Sequence, residues 1–103
     1  MNIKNYKKLA KTKERAIALK IINSALEAIK TEGIIKKNVF LKNNILIINN
    51  KKINLKKYKK IFVIGFGKAS SLMAKEIEKI LKKRITKGIV IDTVKRKLKK
   101  LTQ

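Results

Sequence analysis

The residues best able to do chemistry lie in one short segment, GFGKAS, at positions 65–70. It follows an apolar run typical of a strand and precedes apolar residues at helical spacing. Gly65 and Gly67 let the backbone approach an anion closely, and the start of a helix offers unpaired N–H groups at a positive dipole end. The Lys68 ammonium group and the Ser70 hydroxyl add further donors. An anion site and a plain strand-to-helix turn explain this spacing equally well.

Two established phosphate-binding patterns fit the segment less well. The Walker A pattern needs a longer loop and a Ser or Thr after the lysine, whereas an alanine follows Lys68. The dinucleotide-binding pattern needs two glycines, a third small residue and an acid at the end of the next strand. Gly65, Gly67 and Ser70 match it loosely, and Asp92 would be the acid. A dinucleotide-binding module is therefore an alternative function.

Composition excludes several other kinds of site. The 103 residues contain no histidine and no cysteine, which excludes a Ser-His-Asp triad, a thiolate metal site and a disulfide. The six acidic residues are dispersed, and we predict no metal site among them.

The charge of the chain points to polyanions without indicating specificity. A net charge of +23 predicts non-specific polyanion binding at low salt. The charge comes from 26 Lys and 3 Arg, and the chain is also rich in Ile and Asn, as A/T-rich codons would produce. Nucleic-acid-binding proteins favour Arg and aromatic residues, which are scarce here. A small basic nucleic-acid-binding protein is therefore only a second alternative function. No apolar run approaches the roughly 20 residues of a membrane span, and we expect a cytoplasmic protein with no membrane partner.

Hydrophobic spacing predicts an α/β fold with an N-terminal helix, a small β-hairpin and a Rossmann-like βαβ unit. After a basic arm at residues 1–11, a helix is expected from an N-cap at Thr12 to a C-cap at Gly33. Runs at 45–48 and 53–55 are expected to form the hairpin. Runs at 61–64 and 88–92 predict parallel strands that are buried on both faces. Two strands do not complete a doubly wound sheet, so residues 12–103 are interpreted as an incomplete part of a larger domain.

The glycine turn and its surroundings resemble the N-terminal domain of the glycerate 2-kinase family, the MOFRL-associated kinases. The family pattern is an apolar strand, G-x-G-K-A, a short gap, M-A, an acid, and a glycine that opens another apolar strand. The matching positions are Gly65, Gly67, Lys68, Ala69, Met73, Ala74, Glu76 or Glu78, and 88–91. The resemblance extends over residues 12–101.

The resemblance implies an ATP-dependent kinase that phosphorylates the 2-hydroxyl of D-glycerate with a divalent cation, expected to be Mg²⁺. It implies that Lys68 is the catalytic lysine and that Gly65, Gly67, Ala69 and Ser70 bind phosphate or substrate. Residues 12–103 would then be an incomplete N-terminal α/β domain of a two-domain kinase. The family's His-Pro stretch and its glycine- and serine-rich turn are missing from these residues. We therefore expect the 103-residue chain to be inactive alone.

Overall fold

The computed structural model describes all of residues 1–103 and combines helices with two separate sheets. The helices are α1 (Tyr6–Leu9), α2 (Lys13–Ala28), α3 (Thr31–Asn38) and α4 (Ser70–Leu81). The strands are β1 (Val39–Lys42), β2 (Ile45–Ile48), β3 (Lys51–Asn54), β4 (Phe62–Phe66) and β5 (Lys87–Ile91). Short 3-10 turns cover Leu55–Lys57 and Lys82–Arg84. The predicted α/β fold class is confirmed.

The N-terminal helical region is divided differently from the sequence prediction. Thr12 caps α2 as expected, since its hydroxyl accepts a hydrogen bond from the backbone N–H of Arg15 at 3.3 Å. The predicted C-cap at Gly33 is wrong, because α2 ends at Ala28 and Gly33 lies inside α3. The extended backbone of Lys30, with φ −62° and ψ 126°, breaks the helix. The break allows α3 to bury Ile35, whereas α2 has no buried residue.

The first eleven residues are more ordered than a frayed arm. They include the single helical turn α1. The backbone N–H of Asn2 donates to the Asn23 side chain at 2.7 Å, and the Asn2 side-chain amide donates to Glu27 at 2.6 Å. These polar contacts attach the start of the chain to α2.

The predicted hairpin is present, but it belongs to an antiparallel sheet of three strands in the order β1-β2-β3. Ile48 pairs with Lys51, so the turn contains two residues and not the four expected. Asn49 and Asn50 have φ values of 47° and 68°, which asparagine tolerates better than most residues. Such a turn matches the right-handed twist of the flanking strands.

The C-terminal half contains the parallel pair β4 and β5, connected through α4. Its inner face belongs to a core of nine buried residues: Ile35, Val39, Leu46, Leu55, Ala74, Leu81, Ile85, Val90 and Leu101. The outer face is open, and Ile64 and Phe66 are 74% and 81% exposed. The prediction of burial on both faces is thus wrong for these residues, because a single helical layer covers only one face.

The basic C-terminal segment folds back onto β5. Thr102 bridges Ile89 in parallel, donating its N–H to the carbonyl of Gly88 at 3.0 Å and accepting from Val90 at 2.8 Å. Leu101 is buried beside this bridge. The segment therefore extends the parallel sheet by one short backbone pairing, which the sequence pattern did not predict.

The overall shape is elongated. The radius of gyration is 18.0 Å, against about 13 Å for a compact domain of 100 residues. The apolar residues of α2 lie on the surface; Ile21 and Ile22 are more than half exposed. No helix has both the length and the apolar character needed to cross a bilayer.

Candidate functional site

The predicted glycine turn lies directly between the end of β4 and the start of α4. Gly67 adopts φ +112°, a conformation that side-chain-bearing residues rarely adopt. Its N–H donates to the carbonyl of Ile91 at 3.0 Å, so it continues the β4–β5 pairing by one residue before the chain turns. A Cβ at this position would meet no atom within 4 Å. The backbone is therefore open to an approaching group on this side.

Ser70 holds the turn together. Its buried hydroxyl lies within hydrogen-bond distance of two backbone carbonyls, Gly67 at 2.7 Å and Ile91 at 2.9 Å. Its N–H donates to Gly67 as well, at 3.1 Å. The hydroxyl hydrogen is thus already used within the chain. The role of Ser70 in anion binding stays a prediction, while its contribution to the turn is visible.

The next residue, Ser71, is fully buried and bound to the acid that follows β5. Its N–H donates to a carboxylate oxygen of Asp92 at 2.9 Å, and its hydroxyl donates to the same oxygen. These two hydrogen bonds hold the pKa of Asp92 well below its usual range, and the bond from the Ser71 hydroxyl has the larger effect. Asp92 therefore caps α4 with a fixed negative charge, where the helix dipole favours one.

The donors that remain are concentrated at Lys68 and Ala69. The backbone N–H groups of Lys68 and Ala69 have no acceptor in the chain. The exposed Lys68 ammonium group forms no ion pair or hydrogen bond either. Two adjacent N–H groups and one unpaired cation at a helix start are suited to a carboxylate or phosphate.

One cavity of about 490 Å³ brings the predicted residues together. Gly65, Gly67, Lys68, Ala69 and Ser70 all line it. The rest of the lining comes from β4 and from the first turns of α4: Val63, Ile64, Phe66, Met73, Ala74 and Ile77. Lys68 is the only charged residue in this largely apolar wall, so an anion there would interact mainly with Lys68 and the loop backbone.

Comparison with known families identifies the domain. Residues 17–103 match the family described as "Domain of unknown function (DUF4147)". The chain belongs to the DUF4147 family. A comparison with curated proteins found no significant match.

A solved structure supports the same architecture. The DUF4147 chain is similar to the crystal structure of the PH0495 protein from Pyrococcus horikoshii OT3, with 26% sequence identity and a TM-score of 0.74. The similarity covers 88% of this chain and 20% of that one. The chain thus spans one fifth of the solved protein that it matches.

The two glycines of the DUF4147 turn have different roles. A Cβ on Gly65 would make ordinary contacts with Ser70 at 3.5 Å and Val90 at 3.6 Å. Gly65 therefore lies against the core side of the turn, and only Gly67 requires a backbone conformation suited to glycine. If an anion binds at this turn, its close approach would depend on Gly67 more than on Gly65.

The structure assigns Asp92 a role different from the one in the dinucleotide hypothesis. In a dinucleotide-binding module this acid would bind a ribose hydroxyl. In this structure both carboxylate oxygens of Asp92 already accept hydrogen bonds, one from Ser71 and the other from Val94. The DUF4147 domain also brings together no group of three or more His, Cys, Asp or Glu side chains. Its residues therefore do not provide a recognisable divalent-cation site.

Sequence reasoning missed the link between Ser71 and Asp92 and the close packing at Gly88. A Cβ on Gly88 would lie 2.5 Å from the carbonyl oxygen of Val63 and would collide with Leu101. The available signal was the glycine at the start of an apolar strand, which marks close backbone approach. The neighbour that requires this glycine was not apparent, because Val63 lies on the other parallel strand, distant in sequence.

Proposed function

We propose that this DUF4147 domain is the N-terminal part of a glycerate 2-kinase and that its glycine turn forms one wall of the active site. The observation that carries the proposal is the Lys68 ammonium group, which has no partner in the chain and lines one cavity with the glycine turn. The DUF4147 match agrees with the family resemblance of residues 12–101. The reaction would transfer a phosphoryl group from ATP to the 2-hydroxyl of D-glycerate.

The turn would contribute positioning and charge neutralisation. The Lys68 ammonium group would pair with the carboxylate of D-glycerate or with the phosphoryl group during its transfer. The free N–H groups of Lys68 and Ala69 would donate to the same anion. Phosphoryl transfer depends mainly on such positioning and on preorganised positive charge. The positive φ of Gly67 keeps this side of the loop open.

The remaining functions of the active site would come from outside residues 1–103. Lys68 is the only ionisable residue lining the cavity, so no carboxylate or imidazole is available to accept the proton of the substrate hydroxyl. Since no cluster of metal ligands forms, we assign no residue to a divalent cation. The chain alone is therefore expected to bind anions weakly and to catalyse no turnover.

The binding part of the proposal is tested by NMR titration of the isotope-labelled 103-residue chain with D-glycerate and with ATP. We expect shifts at the backbone amides of Lys68 and Ala69. Because a hydrogen bond to a charged group contributes about 1.5–3 kcal/mol, Lys68→Met should weaken binding by about 10-fold or more. The control Lys56→Met removes the same charge from an exposed site elsewhere and should leave the affinity unchanged.

Unperturbed loop amides with both ligands, or equal affinities for Lys68→Met and the unsubstituted chain, would refute the anion role. Consumption of ATP with D-glycerate provides a separate measurement. Turnover by the 103-residue chain would contradict the assignment of the remaining active site to other residues. In a reconstituted two-domain kinase, Lys68→Met should abolish activity.

Titrations with NAD and with nucleic acid distinguish the alternative functions. A dinucleotide-binding module would bind NAD and lose affinity on Asp92→Ala, whereas Asp92 in the proposed kinase only holds the helix. A nucleic-acid-binding protein would retain nanomolar affinity near physiological salt. Generic lysine attraction would largely disappear by about 150 mM salt.

A further inference from the structure

A second cavity, of about 560 Å³, lies toward the opposite end of α4 from the glycine turn. Seven of its eight lining residues are lysines. Lys75 and Lys79 come from α4, Lys82 and Lys83 from the following 3-10 turn, and three more from residues 97–100. We call this cavity the lysine groove. The length of α4, 12 residues, separates its two ends by about 18 Å.

Most of the positive charge in the lysine groove is not neutralised. Lys79 pairs with Glu76 at 2.6 Å, and the Lys100 ammonium group donates to the carbonyl of Ile85 at 3.5 Å. The other five ammonium groups have no acceptor in the chain: those of Lys75, Lys82, Lys83, Lys97 and Lys99. All seven lysines are exposed to solvent, so their mutual repulsion is partly screened but not removed. An anion in the groove would relieve this repulsion.

The single acid in the groove does little to offset this charge. Glu78 is buried, and its carboxylate accepts hydrogen bonds from the backbone N–H groups of Lys99 and Lys100. Its role is to attach the C-terminal segment to α4, which brings the lysines of that segment to the groove. Glu78 and the Glu76 that pairs with Lys79 offset two of the seven lysines and leave a formal excess of five positive charges.

The backbone of Lys82 provides an independent observation. Lys82 follows α4 with φ 49° and ψ −122°, a conformation that glycine adopts much more readily than lysine. Helices commonly end in a glycine for this reason. Strained residues are concentrated at functional sites, and Lys82 lines the groove.

We propose that the lysine groove binds a compact oligophosphate, a ligand with three or more linked phosphate groups that is recognised by charge. Its volume lies in the range of about 300–1,000 Å³ that is usual for small-molecule sites. The lining contains no arginine and no aromatic residue, so it offers neither the fork geometry nor the stacking surface used to read nucleotides. Nucleic acid is therefore the less favoured ligand.

The test is calorimetric titration of the 103-residue chain with inorganic tripolyphosphate at 150 mM salt. The triple variant Lys75→Gln, Lys83→Gln, Lys97→Gln removes charge from the groove. The matched triple variant Lys13→Gln, Lys20→Gln, Lys51→Gln removes the same charge from exposed positions outside it. The groove variant should lose affinity by about 10-fold or more, and the matched variant by less than about 2-fold.

Equal losses in the two triple variants would overturn the proposal, because they would indicate attraction by net charge alone. It would also be overturned if a single-stranded oligonucleotide of equal charge bound the groove at least as tightly. In a Lys68→Met background, the groove triple variant should lose the same factor of tripolyphosphate affinity, which separates this proposal from the kinase proposal.

Lys82 permits a second test with two readouts. Lys82→Gly removes a charge and relieves the backbone, so it should raise the thermal midpoint while weakening tripolyphosphate binding. Lys82→Gln removes the same charge but keeps the unfavourable conformation, so it should weaken binding without raising the midpoint. Unchanged tripolyphosphate affinity in both variants would count against the proposal.

Discussion

Asp92 accepts a hydrogen bond from the backbone N–H of Ser71 at 2.9 Å, which joins the end of β5 to the start of α4. The Ser71 hydroxyl donates to the same carboxylate oxygen. The helix start is thereby fixed relative to β5, since Ser70 also bonds to the backbone of Ile91, the last residue of that strand. The position of the Lys68 loop depends on this small network.

Asp92→Asn should lower the free energy of unfolding at neutral pH and should make that free energy depend less on pH in the acid range. The pKa of Asp92 is lowered in the folded chain from its ordinary value of 3.8, so its contribution is complete above that pH. It is lost as the pH falls below 3.8 toward the folded pKa, because the unfolded chain takes up the proton first. Urea unfolding at pH 7 and pH 3 measures both effects.

Ser71→Ala is the control for this network, because it keeps the N–H and removes only the hydroxyl bond. The double variant with both Asp92→Asn and Ser71→Ala should lose less stability than the sum of the losses in the two single variants, since the two residues share one interaction. Additive losses would indicate that the two residues act independently.

Gly88→Ala should destabilise the chain by about 1–3 kcal/mol, the usual cost of overpacking. The added methyl group would lie 2.5 Å from the backbone carbonyl of Val63, which cannot move without disturbing the strand pairing. Thermal or urea unfolding measures the loss. Unchanged stability would show that Gly88 does not lie as close to the Val63 carbonyl as described.

Gly33→Ala should have the opposite effect, although the chemical change is the same. Gly33 lies inside α3, and an added Cβ would meet no atom within 4 Å. Alanine should therefore stabilise the chain by about 0.5–1 kcal/mol by favouring the helix. A loss of stability would instead support the C-cap conformation expected from the sequence.

Gly67→Ala should cost about 1–3 kcal/mol, because its φ of +112° is unfavourable for a side chain even though space is available. Gly65→Ala is the matched control, since a Cβ there makes only ordinary contacts of 3.5 Å or more, and it should change stability much less. Equal costs at the two positions would show that the loop conformation does not distinguish them.

Local signals were sufficient to predict the parts of the fold that depend on neighbouring residues. The cap at Thr12, the presence of a hairpin after Ile48, and the strand-turn-helix order around Lys68 arise from contacts within a few residues. The five residues of the candidate site are nearly consecutive and line one cavity, and their role in binding stays a prediction.

Sequence alone determined the local conformations and the high positive charge, because these depend on residue type and short-range sterics. Tertiary structure decided that Ser71 is bound to Asp92, that Gly88 must have no side chain, and that distant lysines share one groove. Each of these depends on which segments meet in space. The hydrogen bonds from Ser71 to Asp92 and from Lys99 to Glu78 each join residues 21 positions apart. Gly88 lies against Val63, which belongs to the neighbouring strand.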